Sequence, residues 1–364
     1  MLSRRGFAGL ATAGFTEAAF AQRAAIKMPA PAGTVWLNAN EFPEGPPRPA
    51  VDAMLRVLPE SNRYHYGEFS SFYGTVAASE KLAANQVLIG AGSTEVLHCA
   101  VDAFTGPKRP LITPWPTFEA PPELAAAAGR PVVKVPLTST HAADGKRLIA
   151  EAAKSGGLIY LCNPNNPTAA ITRKEDLAWI VANLSPETYL LVDEAYLHFT
   201  TSPDTESALK YVRDGKNVIV TRTFSKIYGM AGLRAGFACA RPDLIERMAP
   251  YRNNVISIVA ARAVLAALDM GANMIEERRA KIGRTRTDLC AWLRGKKLNF
   301  IEPHANFMMI DVGRNVREVG PALLAKGVAV GRPFPPYDKM LRVSIGTDAE
   351  MGKFRGALSE VLAV

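Results

Sequence analysis

Thr223-Phe224-Ser225-Lys226 places a lysine among hydroxyl side chains just beyond the apolar run Val218-Ile219-Val220, and Arg234 follows eight residues later. A lysine at the carboxyl end of a strand lies where open α/β sheets form crevices, and desolvation there lowers its pKa toward that of a nucleophilic amine. Taken alone, such a lysine is more often a solvated surface residue. The sequences after two other apolar runs change that reading. Asn163-Pro164-Asn165-Asn166-Pro167-Thr168 follows Leu158–Cys162, and Asp193-Glu194-Ala195-Tyr196 follows Tyr189–Val192. If those runs are strands of one sheet, Asn166, Asp193, Tyr196 and Lys226 emerge on one rim.

Singly, Asp193 reads as a helix cap and the asparagines as a turn. Together they offer an acid that can keep a pyridine nitrogen protonated and an amide and a phenol that can donate to a ring oxygen. Those are the handles of a pyridoxal phosphate site. Gly90-Ala91-Gly92-Ser93-Thr94-Glu95 adds a glycine turn that opens a helix, whose free N–H groups and dipole favour a phosphate. Arg234 can add a charge-assisted contact to that phosphate.

The elements that must position these residues are legible as alternation. Val87–Ile89, Val132–Val135, Leu158–Leu161, Tyr189–Val192 and Val218–Val220 read as strands, with helices expected at Glu119–Ala128, Gly145–Lys154 and Lys174–Asn183. This order predicts an α/β fold with a largely parallel sheet covered by helices. After about Ser257 the pattern predicts a smaller α/β unit. Helices are expected at Ile258–Asp269, Asn273–Arg294, Val316–Lys326 and from Asp348, with strands at Asn306–Asp311 and Leu341–Ile345. The proline-rich stretch Glu41–Pro49 predicts an extended arm. The expected division is a leader at 1–21, an arm at 22–50, a large cofactor-binding domain at 51–255 and a small domain at 256–364.

The ordered motifs resemble those of the fold-type I, class I/II aminotransferases, and within them the histidinol-phosphate aminotransferase-like family. The likeness runs from Leu37-Asn38-Ala39-Asn40-Glu41 to Leu341-Arg342-Val343-Ser344-Ile345-Gly346-Thr347. It implies a homodimeric enzyme with pyridoxal 5'-phosphate as cofactor, moving an amino group between an L-amino acid and a 2-oxo acid by a ping-pong mechanism. A decarboxylase or lyase on the same fold, or a histidinol-phosphate aminotransferase proper, is the alternative, because fold does not fix reaction. By the resemblance, Lys226 is the Schiff-base lysine and proton-transfer base, Asp193 partners the pyridine nitrogen, and Asn166 and Tyr196 donate to the ring hydroxyl oxygen. Gly92, Ser93, Thr94, Ser225 and Arg234 form the phosphate cup, with Thr223 assisting. Phe118 stacks on the ring, Tyr64 reaches the partner subunit's phosphate, and Arg342 clamps the substrate carboxylate.

Four positions, in three stretches, depart from the family pattern. Ala169 stands where glycine is usual, Pro121 where a second tyrosine is frequent, and the arm has Phe42 and Glu44 for the usual asparagine and tyrosine. A carboxylate at 44 facing the substrate side chain would repel a phosphorylated substrate by several kcal/mol if desolvated. Glu44 therefore argues against histidinol phosphate and hints at a cationic side chain.

The chain has 364 residues, 48% hydrophobic and 21% charged, which excludes disorder and suits about two domains. Its net charge of +9 is scattered, with no basic block interleaved with aromatics, so no nucleic-acid partner is expected. The four cysteines have no CxxC or zinc-ligand spacing, no metal is expected, and Cys162 and Cys239 read as buried thiols. Ser3-Arg4-Arg5-Gly6-Phe7 and Ala19-Phe20-Ala21-Gln22 form a twin-arginine start and an A-x-A cleavage pattern, which predicts export to the periplasm. No segment reaches the roughly 20 apolar residues of a membrane-spanning helix.

Overall fold

The computed structural model describes residues 30–253 and 255–364, so the expected leader at 1–21 lies outside the described residues. After a short strand β1 (Val35–Leu37), seven strands build the central sheet: β2 (Val87–Gly90), β3 (Leu111–Trp115), β4 (Val132–Pro136), β5 (Gly157–Cys162), β6 (Thr188–Asp193), β7 (Val218–Thr223) and β8 (Gly236–Cys239). Their order is β2-β8-β7-β6-β5-β3-β4, and only β8 runs antiparallel to its neighbours. Every residue of β5 is buried, as expected of a strand covered on both faces. The parallel strands consequently end on one rim, and the register Cys162↔Asp193↔Thr221 sets Asp193 at its centre.

Helices α1 (Arg48–Val57), α2 (Phe69–Ser79), α3 (Ser93–Phe104), α4 (Ala120–Ala127), α5 (Gly145–Ala152), α6 (Lys174–Ala182) and α7 (Leu209–Arg213) precede or connect these strands, and α8 (Pro242–Met248) follows the last of them. The remainder is α9 (Ile258–Asp269), α10 (Gly271–Gly295), β9 (Phe307–Asp311), α11 (Val316–Ala325), β10 (Val328–Val330), β11 (Met340–Ser344) and α12 (Asp348–Leu362). Several helix starts follow capping chemistry: the side chains of Asp144 and Ser257 accept from Arg147 N and Ala260 N, and Thr347 with Glu350 closes a reciprocal capping box on α12. A parallel pair β1–β10 and an antiparallel pair β9–β11 form two small sheets. All four cysteines are buried and unpaired. Among the described residues no single helix is long and apolar enough to cross a membrane.

Two elements differ from expectation. The arm is extended only as far as Pro47, which stands as N-cap, and α1 begins at Arg48. Pro49 fits there because the first turn leaves its N–H groups free anyway. Strand β3 went unread because Pro114 lies within it. It pairs with β4 along its length but with β5 only at Leu111 and Ile112, so the proline lies beyond that second ladder.

Candidate active site

The rim opens on a cavity of about 280 Å³ lined by side chains from both halves of the chain. Lys226, Thr223 and Ser225 reach it from the end of β7, Asp193 and Tyr196 from β6, Asn166 from the loop after β5 and Phe118 from the loop after β3. Ser93 and Thr94 present the first turn of α3, Arg234 follows the turn at Ala231–Leu233, and Arg342 projects from β11.

Lys226 Nζ donates to the carbonyl of Ala39 at 3.2 Å. Burial, aided by the field of Arg342, lowers its pKa to about 8. Asp193 is fully enclosed: its Oδ2 accepts from Tyr160 Oη at 3.1 Å, and its Oδ1 from Thr221 Oγ1 at 3.3 Å and Ala195 N at 3.2 Å. Burial nevertheless pushes its pKa up to about 6 against those donors. Burial likewise raises the Tyr196 phenol well above its usual range. Arg342 donates from Nη1 to Asn166 Oδ1 at 2.7 Å and from Nη2 to the Asn38 carbonyl at 2.6 Å. Its buried Nε has no acceptor among the described residues.

The anion end is built from backbone as much as from side chains. Gly92 caps α3 at φ +83°, and a Cβ there would lie 2.3 Å from Arg234 Nη2. A Cβ on Gly236 would lie 2.3 Å from the Ser93 backbone nitrogen, so β8 passes the helix start only as glycine. Thr223 Oγ1 donates to Ser225 Oγ at 2.9 Å, and Arg234 Nη1 lies 3.5 Å from the same oxygen. Arg234 holds a left-handed backbone at φ +55°, a costly conformation for a non-glycine residue that clusters at functional sites.

These features fit pyridoxal phosphate. The glycine-backed helix start, two hydroxyls and Arg234 suit a phosphate, and Lys226 is an amine with a depressed pKa. Asp193 is a buried acid held by neutral donors, which leaves its charge free to match a protonated ring nitrogen.

Glu44 is not brought to this cavity. Its carboxylate pairs with Lys281 of α10, away from the residues that line the cavity. Phe42 is core, buried under the Arg278 guanidinium at 4.3 Å from its ring centre. Tyr64 is 70% exposed, stacked on Tyr66 and away from the cavity of its own chain. Pro121 is buried in the first turn of α4. Ala169 takes φ +58° and keeps the turn that glycine would make: its N–H donates to Asn165 O at 2.7 Å, and its carbonyl accepts from His304 N at 2.9 Å. Sequence reasoning gave no role to Ala39, Asn40 or Glu41, which line the cavity. The Leu37–Glu41 motif was visible, but nothing local in it says that it crosses the rim.

A mostly parallel sheet with a lysine, an acid and an anion cup on one rim defines a pyridoxal-phosphate enzyme of the fold-type I aminotransferase class. The chain matches the model of the family "Aminotransferase class I and II" over residues 32–358, and it belongs to that family as a pyridoxal-phosphate-dependent aminotransferase. It is 35% identical over 331 residues to a histidinol-phosphate aminotransferase of Symbiobacterium thermophilum, covering 90% of each chain. To an aromatic amino acid aminotransferase of Cutibacterium acnes it is 33% identical over 332 residues, covering 90% of this chain and 92% of the other. The structure of histidinol-phosphate aminotransferase from Sinorhizobium meliloti in complex with pyridoxal-5'-phosphate superposes with a TM-score of 0.84 at 25% identity, over 97% of this chain and 96% of that one. Aspartate aminotransferase from Thermus thermophilus with maleate, at 23% identity and a TM-score of 0.82, shares the fold; the match covers 100% of this chain and 99% of that one.

Proposed function

We propose that this aminotransferase uses Lys226 as the cofactor-bearing amine and proton carrier and Arg342 as the clamp for the α-carboxylate of an L-amino acid. The observation that carries the reading is their convergence: residues 116 positions apart in sequence line one cavity together with Asp193. Asp193 would hold the ring nitrogen's proton, and Asn166 and Tyr196 would donate to the ring oxygen. Ser93, Thr94, Ser225 and Arg234 would hold the phosphate, with Gly92 leaving room and Thr223 orienting Ser225. Phe118 would pack against the ring. The bound cofactor supplies a sink for the electron pair left on the substrate's α-carbon.

The rest is the work of the chain. Arg342 fixes the carboxylate with a planar fork, so the C–H bond rather than the bond to the carboxylate is the one presented for cleavage. Lys226, in its neutral form, takes that proton at Nζ and returns it to a neighbouring position. Holding the carboxylate during C–H cleavage favours transamination over decarboxylation. Donors of the kind the relatives are named for, aromatic amino acids and histidinol phosphate, are the first to test. With Glu44 turned away, the hint of a cationic side chain loses its support.

The reading extends to a homodimer in which Tyr64 contributes to the other subunit's phosphate site, to a division into units at 51–255 and 256–364, and to a twin-arginine leader removed on export to the periplasm. The leader is tested by the amino terminus of protein recovered from a periplasmic fraction. The dimer is tested by mixing Lys226→Ala and Tyr64→Phe subunits and comparing site occupancy with either parent. For the central reaction, purified enzyme is mixed with each L-amino acid in turn. Bleaching of the cofactor's visible band with release of a 2-oxo acid names the donor; release of carbon dioxide, or an unaltered spectrum for Lys226→Ala, overturns the assignment.

A further inference from the structure

We propose that Asn40 is a positioning residue: its side-chain amide turns the Tyr196 hydroxyl proton into the cavity and keeps that phenol a donor.

The argument begins with the orientation of the amide. The backbone N–H of Asn40 donates to Ser344 Oγ at 2.8 Å. Having accepted that bond, the Ser344 hydroxyl has its own proton to place, and Asn40 Oδ1 stands 3.3 Å away. Oδ1 is thereby spoken for as an acceptor, and Nδ2 is the end left for Tyr196 Oη at 3.2 Å. An amide nitrogen can only donate. The phenol oxygen therefore accepts from Asn40, and its O–H has no other hydrogen-bond partner among the described residues. It lies in the wall of the cavity that holds Lys226, whose Nζ is 5.6 Å from the Tyr196 ring centre.

Asn40 cannot easily turn away from this duty. It is 2% exposed, adopts a left-handed backbone at φ +54°, and its carbonyl accepts from Asn306 Nδ2 at 3.0 Å. Its partner Ser344 lies two residues beyond Arg342 on β11, on the same face of the strand. The clamp that would hold the substrate and the residue that orients the Asn40 amide thus share one strand, paired in register with Met309 and Phe307.

The inference rests on the reading that Tyr196 donates to the cofactor's ring oxygen, and the test separates the two. In the reconstituted enzyme, a donor to that oxygen favours its deprotonated neighbour and lowers the pH at which the visible band titrates. Tyr196→Phe is expected to raise that pH by about one unit, a tenfold change in proton affinity. Asn40→Asp, close in shape but offering an acceptor, is expected to raise it by a similar amount, with kcat lowered and KM for the amino donor little changed. In the Tyr196→Phe background Asn40→Asp is expected to add nothing further. Should Asn40→Asp fail to fold, Ser344→Ala releases the amide's orientation and is expected to shift the titration in the same direction by less. If Tyr196→Phe leaves the titration in place, the reading of Tyr196 fails. If Tyr196→Phe shifts it but Asn40→Asp (or Ser344→Ala in its stead) does not, or shifts it equally with the phenol removed, the role of Asn40 is overturned.

Discussion

Arg342 Nη1 donates to Asn166 Oδ1 at 2.7 Å across 176 residues of sequence, and both side chains are buried. The bond joins β11 to the loop after β5, so the residue expected to clamp the carboxylate and one expected to donate to the cofactor ring move as a unit. Two buried phenylalanines flank the guanidinium: its carbon lies 4.6 Å from the Phe334 ring centre and 5.7 Å from that of Phe307. Arg342→Lys keeps a charge but loses the planar fork. We expect kcat/KM for L-amino acids to fall by roughly thirty-fold or more, in line with the about 2–5 kcal/mol lost when a buried hydrogen-bonded charge contact is broken. Cofactor affinity should stay near wild type. Steady-state kinetics beside a cofactor titration check this, and an unaltered kcat/KM would remove Arg342 from substrate binding.

Burial holds Lys226 at a pKa of about 8, so the amine is largely charged at pH 7 and largely neutral at pH 9. Only the neutral form attacks a carbonyl. The rate at which cofactor-free enzyme captures pyridoxal phosphate should therefore climb as pH rises through about 8 and level off above it. Stopped-flow mixing across that range reads the inflection, and one near the ordinary lysine value of 10.5 contradicts a desolvated setting for the amine.

Tyr160 Oη donates to Asp193 Oδ2, a bond that favours the ionised carboxyl. The folded pKa is already raised to about 6, so a cofactor-free enzyme loses the anionic partner for the ring nitrogen as pH falls through that value. Tyr160→Phe removes a donor to the charged form and raises the pKa further. Cofactor affinity measured against pH should then fall off at a higher pH than in the wild type. Coincident curves would mean that Tyr160 does not tune Asp193.

Much of the site was legible because each motif sits directly after an apolar run, and parallel strands deliver the residues at their carboxyl ends to one rim. Asp193, Asn166, Tyr196 and Lys226 needed only that rule. The direction of Glu44 was not legible for the opposite reason: it lies in an irregular loop, where its side chain meets Lys281, 237 residues away. Asn40 escaped for the same cause, since its partners Ser344, Asn306 and Tyr196 are all distant in sequence. Strand β3, which places Phe118, was hidden by a proline whose position outside one of its two ladders no local pattern reveals.

Ala169, where the family pattern has glycine, is a case in which magnitudes decide. A left-handed alanine costs about 1–2 kcal/mol. Glycine would remove that strain but add roughly 0.5–1 kcal/mol of unfolded-state entropy and forfeit about 0.8 kcal/mol from a buried methyl. The effects nearly cancel, so Ala169→Gly should leave unfolding stability within about 1 kcal/mol of wild type. Ala169→Val should lose at least about 2 kcal/mol, because a β-branched side chain at φ +58° is strained outright. Denaturant unfolding of both variants tests the balance.

Glu119 bears on which donors the enzyme accepts. It is the next residue after Phe118, which lines the cavity, and its carboxylate pairs with Arg332. The Arg332 guanidinium lies 4.2 Å from the centre of the Phe334 ring, the ring that Arg342 also approaches. Two arginines therefore flank one phenylalanine, and Glu119 cancels one of the two charges. Both members of the pair are partly shielded from solvent, their side chains 18% and 23% exposed, so salt screens them less than it would a surface pair. Glu119→Gln leaves the second guanidinium uncompensated beside Arg342, the residue expected to clamp the substrate's carboxylate. Donors with an acidic or phosphorylated side chain should gain, with KM falling several-fold, on the order of the interaction of one charge at intermediate dielectric. Neutral aromatic donors share the α-carboxylate but carry no side-chain charge, so their KM should fall by less. Parallel kinetics on the two donor classes read the difference. An equal change for both would mean that Glu119 supports the loop and leaves selection among donors to other residues.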